Sequence, residues 1–158
     1  NVNYKCLMPC NAYGMNDNYD LNSSHFLPAL IRKIIDALKN DKDYIKIWGR
    51  GKTLREVIYS DDIADACIFF LKKKTKESLI NIGTDIEKSI TEYAKFIMKH
   101  LGVNLKIIYE KKTLDGTFRK LLDVSLAKKY GWKYKTNLDE GLSNTINDYL
   151  QKYLIEKK

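Results

Sequence analysis

A histidine stands where a helix should begin. In Asn22-Ser23-Ser24-His25-Phe26-Leu27-Pro28, both serines are good N-caps, and Pro28 suits a first helical turn, where its missing N–H costs little. His25 is therefore placed at or next to the first helical position. The helix dipole there works against imidazolium, which suits a side chain that takes up and releases a proton as a general acid or base. The alternative is a helix-start histidine with no chemical role. Further along, Trp48-Gly49-Arg50-Gly51-Lys52-Thr53-Leu54-Arg55 makes a Gly-bracketed basic turn that opens on tryptophan. Only four of the 28 basic residues are arginine, and Arg50, Arg55 and Arg119 fall in short motif-like segments. Arginine is the better bidentate phosphate ligand, so this placement points to a compact diphosphate site.

Alternating elements must hold these residues. Val2 to Pro9 reads as a strand, Asn11 to Ser24 as a long polar loop, and His25 to Lys39 as an amphipathic helix. Leu27, Leu30, Ile31, Ile34, Ile35 and Leu38 form that helix's apolar side. Tyr44 to Trp48 is strand-like, and Arg55 to Tyr59 is extended. Ser60 is expected to cap a helix from Asp61 to about Lys73, with Asp61, Asp62 and Asp65 near its positive end. Leu79 to Ile82 is again a strand. Ser89 and Glu92 have capping-box spacing for a helix running through Leu101 and closed by Gly102. Leu105 to Tyr109 reads as a strand, Lys111 to Lys120 as a basic loop, Ser125 to Tyr130 as a short helix, and Leu138 to about Leu154 as a final helix. Strands alternating with helices indicate an α/β architecture.

Composition narrows the function classes. A chain of 158 residues that is 44% hydrophobic and 30% charged can bury one domain's core. Its longest apolar runs, such as Ala64 to Leu71, are too short to span a bilayer, and no basic-then-apolar leader opens the sequence. A cytoplasmic protein with no membrane partner is expected. Cys6, Cys10 and Cys67 are odd in number and lack metal-ligand spacing, so reduced thiols are expected, with no metal and with Cys6 and Cys67 as packing residues. The net charge of +8 raises nucleic-acid binding. Lysine carries that charge, however, with Lys72, Lys73, Lys74 and Lys76 at a helix end and Lys157 and Lys158 at the chain end. A solvated basic surface, with no nucleic-acid partner, is the preferred reading.

Several segments occur in one order: Met8-Pro9-Cys10-Asn11-Ala12-Tyr13-Gly14, Asn22-Ser23-Ser24-His25, Trp48-Gly49-Arg50-Gly51, Arg55-Glu56-Val57, Asp61-Asp62-Ile63-Ala64-Asp65-Ala66, Asn81-Ile82-Gly83-Thr84 and Asp115-Gly116-Thr117-Phe118-Arg119. This series closely resembles the GDP-L-fucose synthase family, epimerase-reductases among the extended short-chain dehydrogenases/reductases. The resemblance implies an NAD(P)-binding Rossmann-type α/β fold joined to a smaller α/β substrate-binding domain. Residues of roughly 1–14 and 56–84 would be the last elements of the Rossmann part. Such enzymes open with a Gly-rich turn for the dinucleotide pyrophosphate, and no such fingerprint occurs here. Tyr130 is followed by Gly131-Trp132-Lys133-Tyr134, so the lysine four residues on that the family pairs with its catalytic tyrosine is missing there. The residues accordingly read as the C-terminal half of a longer enzyme, with the N-terminal cofactor-binding half absent and a homodimer expected for the whole.

The implied chemistry is conversion of GDP-4-keto-6-deoxy-D-mannose to GDP-L-fucose, by inversion at C3 and C5 and NADPH-dependent reduction at C4. By the same resemblance, His25 is the epimerisation histidine. Pro9, Cys10, Asn11, Ala12 and His25 touch NADP, and Lys33, Trp48, Arg55 and Asp115 touch the GDP-sugar. Cys10 and Ala12 stand where threonine and leucine are commoner, Lys33 where arginine is frequent, and Leu54 and Phe118 where proline is. Each assignment has a plain structural alternative. Trp48 would be a core anchor, Arg55 a surface ion pair, and Asp115 a turn residue before Gly116. A synthase for a related deoxyhexose, or a binding module without catalysis, are the rival functions.

Overall fold

Short β-branched and aromatic runs become strands, and apolar spacing of three and four residues becomes helices, in a computed structural model that describes residues 4–110 and 116–155. The first elements are β1 (Cys6–Pro9), β2 (Asn11–Tyr13), α1 (Phe26–Lys39), β3 (Tyr44–Trp48), β4 (Leu54–Tyr59) and α2 (Ser60–Lys72). They are followed by β5 (Leu79–Ile82), β6 (Glu87–Ser89), α3 (Ile90–His100), β7 (Lys106–Glu110), β8 (Arg119–Lys120), α4 (Ser125–Lys129) and α5 (Leu138–Ile155). Among the described residues three small sheets result. β1 runs parallel to β5, β3 parallel to β7, and β4 is flanked by β2, antiparallel β6 and the short β8. Parallel pairing joined through helices gives the mixed α/β fold expected from the sequence.

Two apolar clusters organise the elements. The larger gathers α1, α3 and α5 around Ile31, Ile34, Tyr93, Ile97, Leu142, Ile146 and Tyr149. Each of these side chains contributes about 1.5–3 kcal/mol by leaving water. The smaller packs Ala66 and Phe70 of α2 with Ile80 and Ile82 of β5, and Ala127 and Trp132 close it from the α4 side. The indole N–H of Trp132 donates to Asp65, and the backbone N–H groups of Lys135 and Thr136 donate to buried Asp62. These two aspartates thus anchor the chain after α4, a task beyond complementing a helix dipole.

Local expectations fail where tertiary contacts override them. Asn11 to Tyr13, read as loop, forms β2 because β4 offers a parallel edge to it. Neither Ser23 nor Ser24 caps α1: the N-cap is His25, with no side-chain cap bond. Ser60 lies inside α2, whose N-cap is Tyr59. The Ser89 capping box is present as expected. Leu38 faces outward, and Cys6 and Cys67 are exposed thiols instead of packing residues. Cys67 belongs to an exposed stripe with Ala64, Ile68 and Leu71, spaced one helical turn apart, and Tyr4, Met8 and Leu79 are exposed too. Val2, Lys157, Lys158 and the Lys111 to Asp115 part of the basic loop lie outside the described residues. Among the described residues no helix is long and apolar enough to cross a membrane.

Candidate active site

His25 closes the amino end of α1 in extended conformation, with φ −67° and ψ 164°, and its carbonyl accepts the Ala29 N–H at 3.1 Å. Its imidazole is exposed. Two nearby oxygens are buried and lack a hydrogen-bond partner among the described residues, Oγ of the preceding Ser24 and Oδ2 of Asp17, whose carboxyl feels His25. Burial pushes the Asp17 carboxyl above its ordinary value, against the opposing pull of the Asn18 N–H and of His25 itself. The exposed imidazole thus sits between Ser24 and Phe26 of the cleft lining, at a rim where polar hydrogen-bonding capacity remains open.

Below that rim lies a cleft of about 280 Å³. Ser24, Lys33, Trp48 and Arg55 line it, together with Gly116, so the structure brings together three of the four expected substrate residues. The fourth, Asp115, lies outside the described residues, next to Gly116. α1 delivers Lys33, whose ammonium donates to the Lys46 carbonyl at 3.0 Å and stands 4.9 Å from the Trp48 ring centre. Burial lowers the Lys33 pKa, and Glu110 partly offsets this. Trp48 is 57% exposed, so it is no core anchor and leaves ring surface free at the cleft. Among the described residues, Arg55 is not in a surface ion pair either. Its Nη1 donates to the carbonyls of Leu54 and Thr117 at 2.7 and 2.8 Å, and no carboxylate pairs with it among the described residues. Two cations and a partly exposed aromatic ring lining one cleft suit a ligand that joins a flat ring to a phosphate chain.

Apart from His25, the expected cofactor residues lie elsewhere, where β1 ends. The parallel strands β1 and β5 finish side by side at Pro9 and Ile82, and the Cys10 N–H donates to the Ile82 carbonyl at 2.9 Å. Asn11 Nδ2 donates to the Glu56 carbonyl at 2.6 Å, so this amide fixes the strand end. Burial, reinforced by Glu56, pushes the Cys10 thiol up to about 12. It stays protonated at neutral pH and is unsuited to proton abstraction.

The sequence model of the NAD dependent epimerase/dehydratase family matches residues 1–83, just over half of the chain. The chain belongs to that family. Among curated relatives, a putative GDP-L-fucose synthase 2 of Arabidopsis thaliana is 39% identical over 151 residues, covering 96% of this chain and 46% of the relative. A GDP-L-colitose synthase of Yersinia pseudotuberculosis is 40% identical, over 93% of this chain and 48% of its own length. The chain spans about half the length of the curated relatives it matches. Among solved structures, a GDP-D-glycero-L-gluco-heptose synthase from Campylobacter jejuni, in the presence of NADPH, superposes with a TM-score of 0.77 at 28% identity, covering 94% of this chain and 53% of that one. In this epimerase/dehydratase chain, sequence reasoning passed over Glu56, which is fully buried beside the site. The signal was present: Leu54, Glu56 and Ile58 share one face of β4, and an acid on an otherwise apolar face needs a dedicated set of donors.

Proposed function

We propose that these residues form the GDP-sugar half of an NADP-dependent GDP-L-fucose synthase, which epimerises GDP-4-keto-6-deoxy-D-mannose at C3 and C5 and reduces it at C4. The observation that carries this reading is the convergence of Lys33, Trp48 and Arg55 on one cleft. Arg55 and Lys33 hold the diphosphate, Trp48 covers the nucleotide or sugar, and Asp115 accepts sugar hydroxyls. His25 moves protons at C3 and C5, whose acidity the 4-keto group supplies.

The cofactor fits in part. Ligands of open α/β sheets lie at the carboxyl ends of parallel strands, and Pro9, Cys10, Asn11 and Ala12 occupy that position beside Ile82, with His25 as the further contact. They offer a wall for the nicotinamide end, while the sequence has no Gly-rich turn for the pyrophosphate. NADPH, when bound, supplies the hydride for C4. The rest of the binding layer, in this reading, continues across the open edge of β1 and the exposed stripe of α2, with residues of roughly 1–14 and 56–84 as its last elements. The whole enzyme is a cytoplasmic homodimer.

The test joins this chain to the cofactor-binding half of a GDP-L-fucose synthase. The joined protein is expected to form GDP-L-fucose from the keto sugar, read by chromatography, while the 158-residue chain alone neither binds NADPH tightly nor oxidises it. Turnover by the chain alone contradicts the proposal. Similarity to the GDP-L-colitose synthase favours a second reading, a related GDP-deoxyhexose as substrate. Comparing turnover among different GDP-4-keto sugars decides between the two.

A further inference from the structure

Glu56 is fully buried in β4, yet it has no part in the chemistry described above. Its carboxylate accepts from three main-chain N–H groups and, at 3.4 Å, from the Thr84 hydroxyl. Oε1 accepts from Thr84 at 2.6 Å and from Asp85 at 2.7 Å, and Oε2 accepts from Leu122 at 3.0 Å. The turn that supplies the first two is shaped around it. A Cβ at Gly83 would collide with Oε1, and Asp85 takes the left-handed conformation, φ 63°, that brings its N–H inward. Three main-chain donors and no hydrogen to return is what an acceptor-only group requires.

The two ends of this clamp belong to different parts of the site. Thr84 and Asp85 follow β5, whose end abuts Cys10 on the cofactor side. Leu122 ends the segment that begins at Gly116 in the cleft wall. Along that segment Thr117 is held by Arg55, Phe118 accepts the Leu54 N–H at 2.8 Å, and Arg119 and Lys120 pair with β4. Arg55 and Glu56 are neighbours on one strand, so their side chains leave opposite faces and grip opposite ends of the same segment.

We propose that Glu56 is a positioning residue, which fixes the 116–122 segment, whose first residue lines the GDP-sugar cleft, to the cofactor-side strand ends. The functional part rests on the GDP-sugar reading, whereas the clamp itself does not. Glu56→Gln separates its two arms. Glutamine keeps two bonds by leaving its oxygen on Thr84 and Asp85, and its NH₂ then faces the Leu122 N–H, donor against donor.

The experiment uses the 158-residue chain, amide hydrogen exchange and calorimetric titration with GDP. Glu56→Gln is expected to speed exchange at Leu122 and through residues 116–121 by about tenfold or more, to leave Thr84 and Asp85 protected, and to weaken GDP by about tenfold. Leu122→Pro removes the same donor while keeping the acid, so it guards against a Glu56 variant that fails to fold. It should match the loss of GDP affinity, and combining the two should add nothing further. Unchanged exchange at Leu122, uniform loosening of the whole chain, loosening without loss of GDP affinity, or additive losses each overturn the proposal. A wild-type chain that binds no GDP strikes the site reading instead, and the exchange pattern still decides the clamp.

Discussion

Replacing His25 by Gln in the enzyme completed with its cofactor-binding half should nearly abolish solvent deuterium entry at C3 and C5 of the keto sugar. Loss of a positioned general acid or base typically costs a factor of about 10² to 10⁴ in rate. The substitution is structurally mild. The imidazole is exposed, caps nothing with its side chain, and leaves to its carbonyl the bond that starts α1. Folding should therefore be unchanged and NADPH should still bind, and residual reduction should give sugars not inverted at both carbons. Mass spectrometry of the recovered sugar reads the outcome. Deuterium entry at the wild-type rate would make His25 structural and remove the catalytic assignment.

Arg55→Ala is expected to raise the Michaelis constant for the GDP-sugar by roughly 30- to 150-fold, equivalent to about 2–3 kcal/mol for a charge-assisted phosphate contact. Part of the loss comes from the released Thr117 carbonyl, which Arg55 holds at 2.8 Å. Arg55→Lys distinguishes the contributions, because an ammonium keeps the charge but lacks the fork to serve carbonyl and phosphate together. It should recover only part of the affinity. NADPH binding should barely move, since the strand ends at Pro9 and Ile82 do not line this cleft. Equal weakening of both ligands would identify a structural arginine.

Much of this arrangement was legible in residue order, and the failures have physical causes. α1 announced itself through Leu27, Leu30, Ile31, Ile34 and Ile35, all buried, and α3 through Ser89 and Glu92, whose side chains make the capping box. β2, β6 and β8 were missed because Asn11–Tyr13, Glu87–Ser89 and Arg119–Lys120 carry no alternating pattern of their own. Each exists because β4 presents a pairing edge. Lys33, Trp48 and Arg55 were identified by resemblance, and their meeting in one cleft required the fold. Cys67 misled because a small apolar-looking residue amid Ala66, Ile68 and Phe69 reads as core, whereas its turn of α2 faces outward. Glu56 stayed hidden because its partners are backbone groups distant in sequence, which no motif displays.

The central claim is that these residues hold a nucleoside diphosphate through Lys33, Trp48 and Arg55. Titrating GDP into the 158-residue chain while following tryptophan fluorescence tests it most directly, because Trp48 is open to solvent and Trp132 is buried away from the cleft. Saturable quenching by GDP, lost in Trp48→Phe and weakened at least tenfold in Arg55→Ala, is the predicted result. Quenching that persists without Trp48, or the absence of any saturable response to GDP, would contradict it.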